Sequence, residues 1–260
     1  MTIHFSCTMC GRCCHDLRLP LSVDEAIDWL GRNGRIQVFC DAIPWPEDPP
    51  ASNLQAAYKR DRSFPAISGA LPVRVTVTLV AAFQGACPNL QPDLRCGIYE
   101  SRPRTCRIYP AEMNPFVALS PEAKLCPPEA WEARWPAFQN GDGSWTDPSL
   151  TATIDQARDA AVHDARMKGA LCRLLGLDTA ALANEGLMVH TPSREVTRDA
   201  LLEAKALASH DGDHVLAEWT LVSNRKATGD ALASIGARWE RHGAEECASE
   251  EYVGFFPADQ

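Results

Sequence analysis

Hydrophobic and polar positions alternate most regularly where Val73, Val75, Val77 and Leu79 are separated by Arg74, Thr76 and Thr78. A period of two puts every second side chain on one face, which predicts a strand over 73–79. A helical period comes earlier, at Val23, Ala26, Ile27 and Leu30. Ser22 suits the N-cap, Asp24 and Glu25 suit the first turn, and Gly31 and Gly34 stop the pattern, so a helix is expected over 23–31. Residues 41–72 hold six prolines and little periodicity, and read as an insertion or long ordered loop. A short strand is expected over 95–99, after a turn at Gln91-Pro92-Asp93. Ser101-Arg102-Pro103 opens a short helix carrying Cys106. In the second half, helical spacing recurs at Ile154, Ala157, Ala161, Ala165, Leu171, Leu174 and Leu175, at Val196, Ala200, Leu201, Ala204 and Leu207, and at Leu232, Ile235 and Trp239. The period over 214–222 does not separate strand from helix. The class these elements define is α+β: an irregular, metal-stapled, cysteine-rich module with a short antiparallel sheet (1–140), then a mainly helical half (141–260) that folds separately or packs on the first as one unit.

Composition sharpens the division. Eleven cysteines occur in 260 residues, a length at which disulfides are not needed for a core. Nine of them lie in residues 1–126. There, 13 basic against 12 acidic residues give +1, while 12 against 22 in residues 127–260 give −10, which together make the formal −9. The acidic balance argues against duplex nucleic acid and leaves the acidic helical half as a surface for a protein partner. No stretch is long and apolar enough for a membrane span, and no secretory signal is evident, so a cytoplasmic location is expected. Clustered cysteines in a reducing compartment point to metal or redox chemistry.

The densest cluster is Cys7-Thr8-Met9-Cys10-Gly11-Arg12-Cys13-Cys14. A Cys-x-x-Cys turn lets two thiolates reach one metal, and Gly11 supplies the backbone freedom such a turn needs. Cys13 and Cys14 are consecutive, so their Cα atoms lie about 3.8 Å apart, short of what an unstrained disulfide prefers. Their side chains diverge, and the two residues serve different sites or one is a free thiol. Cys87, Cys96, Cys106 and Cys126 bring the set to eight, enough for two sites of four, with the allotment open. Arg12, Arg104 and Arg107 stand inside or beside these motifs. Arg12 and Arg107 are the candidates for offsetting thiolate charge beside a cluster. His15 is weighed as a neighbour rather than a ligand, and Tyr99 and Tyr109 as packing residues. Cys172 reads as core, and Cys40 and Cys247 as unligated.

Cys-x-x-Cys-Gly-x-Cys-Cys, followed by Leu19-Pro20-Leu21-Ser22, Cys87-Pro88-Asn89-Leu90, Cys96-Gly97-Ile98-Tyr99-Glu100, Arg102-Pro103 and Cys106-Arg107-Ile108-Tyr109-Pro110, resembles the YkgJ-type cysteine cluster family, a zinc- or iron-chelating domain. The resemblance covers about residues 5–127. It implies eight metal-directed cysteines: Cys7, Cys10, Cys13, Cys14, Cys87, Cys96, Cys106 and Cys126. A similar module occurs in flagellin lysine methylases, where an iron–sulfur cluster is implied. Three clustered cysteines plus remote ones favour iron–sulfur, of the 4Fe-4S type, while paired Cys-x-x-Cys spacing equally admits an all-cysteine zinc site. One or two sites are expected. The functional reading is a redox, electron-transfer or metal-handling protein. The alternatives are a cluster-dependent protein-modifying enzyme and a zinc-stapled interaction module. No G-x-G-x-x-G, P-loop, G-x-S-x-G or H-E-x-x-H motif is present.

Overall fold

A computed structural model describes residues 1–207, 216–242 and 249–258. Its elements run β1 (Ile3–His4), β2 (Arg18–Leu21), α1 (Val23–Gly31), β3 (Ile36–Pro44), α2 (Leu54–Asp61), β4 (Phe64–Ser68), β5 (Leu71–Ala82), α3 (Arg104–Ile108), β6 (Ala137–Gln139), α4 (Pro148–Leu175), β7 (Thr179–Leu182), β8 (Gly186–His190), α5 (Arg194–Leu207), β9 (Thr220–Ser223), α6 (Lys226–Ser234), β10 (Trp239–Arg241) and β11 (Glu250–Gly254). The class is the expected α+β. The chain forms two units, each from two segments: Met1–Leu21 with Ala81–Ala160, and Ser22–Val80 with Ala161–Gln260.

The first unit holds little regular structure. β1 and β6 form a two-stranded antiparallel sheet. Its apolar core is small: Ile108 and Ala111 pack with Leu150 and Ile154, flanked by Phe138, Trp145 and Ala157. Phe5 adds ring contacts to Trp131 at 4.7 Å and Phe138 at 5.2 Å.

The second unit is built on a sheet with the order β10-β9-β7-β3-β5. β10 pairs parallel with β9, β9 with β7 and β7 with β3. β8 pairs antiparallel with both β3 and β11, and β4 pairs antiparallel with β5. The alternation in β5 is realised in burial, with Leu71, Val73, Val75, Val77 and Leu79 inside. α1 has the expected span and a full capping box: Ser22 accepts from the Glu25 amide, and Glu25 accepts from the Ser22 amide at 2.9 Å. Buried Asp164 of α4 accepts a third amide, that of Val23, at 2.8 Å. α1 packs against α5, with Lys205 2.6 Å from Asp24.

Four local expectations are corrected. Residues 41–72 are not a loop: they hold the end of β3, all of α2 and β4, and the start of β5. Four of the six prolines sit at or beyond strand ends; Pro65 lies within β4 and Pro72 within β5, an antiparallel pair. Pro44 ends β3, and Pro46, Pro49 and Pro50 lie in the connection to α2. No strand covers 95–99; Leu90 and Cys96 make an isolated bridge. The third helical set ends early, because α6 stops at Ser234 and Trp239 lies on β10. Gly236, at φ +71°, turns the chain between them. The second half also contributes β7–β11 to the sheet alongside its helices. Within 214–222 the described part that is regular is strand β9. Cys247 lies outside the described residues.

Cys40 and Cys172 are fully buried core thiols, as their apolar neighbours suggest for Cys172. A hydrogen bond between the Cys40 and Cys172 thiols, together with burial, pushes the Cys40 thiol well up. On the next position of β3, burial raises the Asp41 carboxyl to about 6, opposed by a hydrogen bond from Thr76 and the charge of Lys59. An acid raised on folding loses stability as pH climbs from its unfolded value near 4 through about 6, because the folded state must give up a proton it holds more tightly. Asp41→Asn is therefore expected to stabilise the protein above pH 7 by about 1–2 kcal/mol, against a linkage limit of about 3, and to change little at pH 4. Denaturant midpoints of both proteins at the two pH values measure this, and an equal difference at both would remove the titration as its cause.

Candidate metal centre

The eight cysteines all belong to the first unit and sit on short, irregular pieces of chain held by backbone hydrogen bonds. Met9 and Gly11 take positive φ (53° and 71°), and Gly11 opens a single 3-10 turn, Arg12–Cys14. Glycine is required at 11, where a left-handed backbone turns the loop between the two Cys-x-x-Cys units. The Met9 amide donates to Cys7 Sγ at 3.4 Å.

This loop is stitched to the next cysteine segment. Cys87 N donates to Cys14 O at 2.7 Å, Asp16 N to Gly85 O at 2.8 Å, and Gly85 N to the Asp16 carboxylate at 2.6 Å. The Leu90–Cys96 bridge and the Gly97 N to Asn89 O bond, 2.7 Å, then fold Cys96 back toward Cys87. α3 carries Cys106 as expected, beginning after Pro103, and Thr105 anchors it by donating to Pro20 O at 2.7 Å. At the other side, Ser6 N donates to Ala130 O at 2.9 Å, which holds the residue before Cys7 near the chain that follows Cys126.

Charge coupling divides the thiols into two neighbourhoods. Burial pushes Cys106 up to about 12, and the charges acting with it are those of Cys14, Cys87 and Cys96. Cys14 is likewise raised to about 12, by burial first, then by Cys13, Cys87 and Cys96. Cys13 is raised by burial and by Cys126, Cys7 and Cys10, and accepts a hydrogen bond from the Cys14 thiol that opposes the shift. Cys126 is raised by burial and by Cys7 and Cys10. Cys13 thus faces one group and Cys14 the other, as diverging neighbours must.

Several polar side chains act on these sulfurs, among them that of Asn89, which donates to Cys87. The Tyr109 hydroxyl donates to Cys126 and accepts from Leu125 N at 2.7 Å. Lys124, ion-paired with Glu112, lies 5.8 Å from the Tyr109 ring and favours a Cys126 thiolate by its charge. Arg102 does the same for Cys106 and stacks 3.9 Å over Tyr99. Among the arginines singled out from the sequence, Arg12 is exposed, and Arg107 is exposed and donates to Thr153 at 3.4 Å. His15 directs Nδ1 to Gly11 O at 2.9 Å. The sequence motifs contain both Tyr109, expected there to pack, and Arg102, given no role; the structure turns the Tyr109 hydroxyl to Cys126 and brings the Arg102 charge to Cys106.

Among the described residues, no group of three or more His, Cys, Asp or Glu side chains is already gathered for a metal ion. In donor chemistry the thiols suit a thiophilic metal: seven of the eight are partly shielded from water, Cys7 is exposed, and N–H and O–H donors are aimed at some of them. Burial is the main cause that opposes ionisation of these thiols; the smaller mutual repulsion of their charges is the part that a bound cation would relieve. Tyr109→Phe is expected to leave the fold intact and to lower metal affinity in the Cys126 neighbourhood about tenfold or more, leaving the other unchanged. Competition with a chelator, followed for each variant, reads this out; uniform weakening of both would make the hydroxyl a general packing contact.

Donors of this kind, on chain too irregular to carry its own core, define a cysteine-rich metal-chelating module. Residues 6–127 match the CxxCxxCC family model, described as "Putative zinc- or iron-chelating domain". The match covers nearly half of the chain and agrees with its cysteine motifs. No curated protein and no solved structure matches the chain. Among the described residues, no helix is long and apolar enough to cross a membrane.

Proposed function

We propose that the domain holds two metal centres, one through Cys7, Cys10, Cys13 and Cys126 and the other through Cys14, Cys87, Cys96 and Cys106. The observation that carries this reading is the backbone stitching that holds Cys14 to Cys87 and folds Cys96 toward them, while Ser6 ties the start of the Cys7 loop to the chain after Cys126; the charge coupling of Cys13 and Cys14 runs the same way. Four thiolates per centre, without histidine, suit iron–sulfur clusters of the 4Fe-4S type and suit zinc. The iron–sulfur form is favoured by three sulfurs within seven residues, those of Cys7, Cys10 and Cys13, joined to a distant fourth. Bound clusters would supply one-electron transfer. The protein's part is to shield the sulfurs and to donate hydrogen bonds to them from Tyr109 and from the amides of Met9, Asn89 and Leu90. The role that follows is redox or metal handling in a reducing, cytoplasmic setting.

Anaerobic purification with elemental analysis and an optical spectrum tests the reading. Iron and sulfide with broad visible absorbance support it. A colourless protein with stoichiometric zinc replaces electron transfer with a structural or metal-handling role. Protein that binds neither metal overturns both.

A further inference from the structure

Cys40 lies on β3 and Cys172 on α4, so they come from the two chain segments, Ser22–Val80 and Ala161–Gln260, that assemble the second unit. Both are fully buried, at 0% and 1% exposure, and their thiols share a hydrogen bond. Met188, buried and directly opposite Cys40 on β8, shares its face of the sheet. Its flexible thioether is a neighbour able to yield when a sulfur moves. A cleft of about 240 Å³ is lined by Cys172, Phe64, Gly169 and Trp219, and opens to solvent past exposed Arg173 and Asp178.

Two touching thiols can hold a metal or join as a disulfide. A metal needs thiolates, and the surroundings oppose them. The hydrogen bond with Cys172, burial, and the charges of Cys172, Asp41 and Glu250 all push the Cys40 thiol up. Lys168, buried one turn before Cys172 on α4, brings positive charge but already faces Asp164. Among the described residues, no third His, Cys, Asp or Glu completes a metal site with the pair. A disulfide carries no charge, so the same surroundings do not oppose it. Topology gives the bridge a consequence. It would enclose residues 41–171, which include the inserted first-unit segment Ala81–Ala160, and would tie the two segments of the second unit to each other. Unfolding of the inserted segment would then no longer separate them.

We infer that Cys40 and Cys172 form a reversible disulfide site, closed by hydrogen peroxide and opened by a dithiol, that locks the second unit. Cys172, on the cleft, is the attacking sulfur. It bonds to one peroxide oxygen as the O–O bond breaks, and the departing hydroxide takes the thiol proton and leaves as water. The Cys40 sulfur then attacks the resulting sulfenic acid at Cys172. The S–O bond breaks, and hydroxide leaves with the Cys40 proton as a second water. The two thiols together lose two electrons, and one peroxide is reduced to two waters. Only a thiolate attacks, so burial makes the reaction slow, on a scale of minutes to hours. The site is separate from the eight motif cysteines and does not depend on the metal reading.

The test treats the full chain, purified anaerobically, with millimolar hydrogen peroxide. The sample is quenched with an alkylating agent and digested without reduction for mass spectrometry. The tryptic peptides carrying Cys40 and Cys172 should appear linked, and dithiothreitol should separate them. In Cys40→Ala, Cys172 should stop at the sulfenic acid and be trapped by dimedone. In Cys172→Ala, Cys40 should stay reduced at the same dose. Peroxide should raise the last thermal transition of the wild type by about 10 °C and give no such rise in Cys40→Ala. A linked peptide formed only in urea, either cysteine joined mainly to a motif cysteine, or no linked peptide at doses that oxidise the motif cysteines would each overturn the site. A linked peptide without the thermal rise would overturn the locking of the second unit.

Discussion

Cys106→Ser is expected to lose one metal centre and keep the other. Cys126→Ser is expected to lose the opposite one, so that each single variant retains half of the wild-type metal. The pairwise variants carry the information. Cys14→Ser with Cys106→Ser removes two ligands of one centre and should cost no more metal than either alone. Cys106→Ser with Cys126→Ser should empty both. Metal-binding energy in such modules is folding energy, of about 10 kcal/mol or more for a full thiolate site. The first unit has few buried apolar residues to set against that loss. The single variants should therefore melt about 10 °C or more below wild type. Metal content by elemental analysis and thermal midpoint, measured on the same anaerobic samples, check both parts. Equal loss in the same-set and cross-set pairs would replace two centres with one shared one.

Ile154→Ala should produce the largest effect of any change away from the cysteines. Ile154 is 1% exposed and packs with Ile108, two positions beyond Cys106 on α3, and with Ala111 and Leu150. Removing a buried isoleucine to alanine costs about 2–5 kcal/mol, and more when the walls cannot collapse. Here the walls include Phe138 and Trp145, whose rings are held by each other at 5.4 Å. The loss should be partly recovered by metal, since a ligand at a thousand times its dissociation constant adds about 4 kcal/mol to the folded state. Denaturant midpoints with metal bound and after chelation would show this. A midpoint unchanged by chelation would mean that the apolar cluster and the cysteines stabilise the fold independently.

The residues differ in how directly they announce their places. α1 was legible to the residue because its signals are local: Ser22 and Glu25 cap each other within one turn, whatever surrounds them. β5 was legible because alternation needs only one buried face. Residues 41–72 misled because proline density was weighed without knowing that Pro44 would end a strand and that three of the others would fill one connection. Trp239 misled because three apolar positions can satisfy a helical period by chance when a Gly236 turn lies between them.

For the site, sequence alone carried the candidate ligand types, the backbone demand at Gly11 and the argument that Cys13 and Cys14 serve different sites or that one is a free thiol. Those follow from bond lengths, side-chain chemistry and spacing, which travel with the chain. It could not allot Cys87, Cys96, Cys106 and Cys126, or turn Tyr109 and Arg102 toward sulfur. Nor could it bring Cys40 of β3 against Cys172 of α4. These depend on which distant segments meet. That is decided by hydrogen bonds such as Cys87 N to Cys14 O and by strand register, cooperative outcomes of the whole fold that no local pattern encodes.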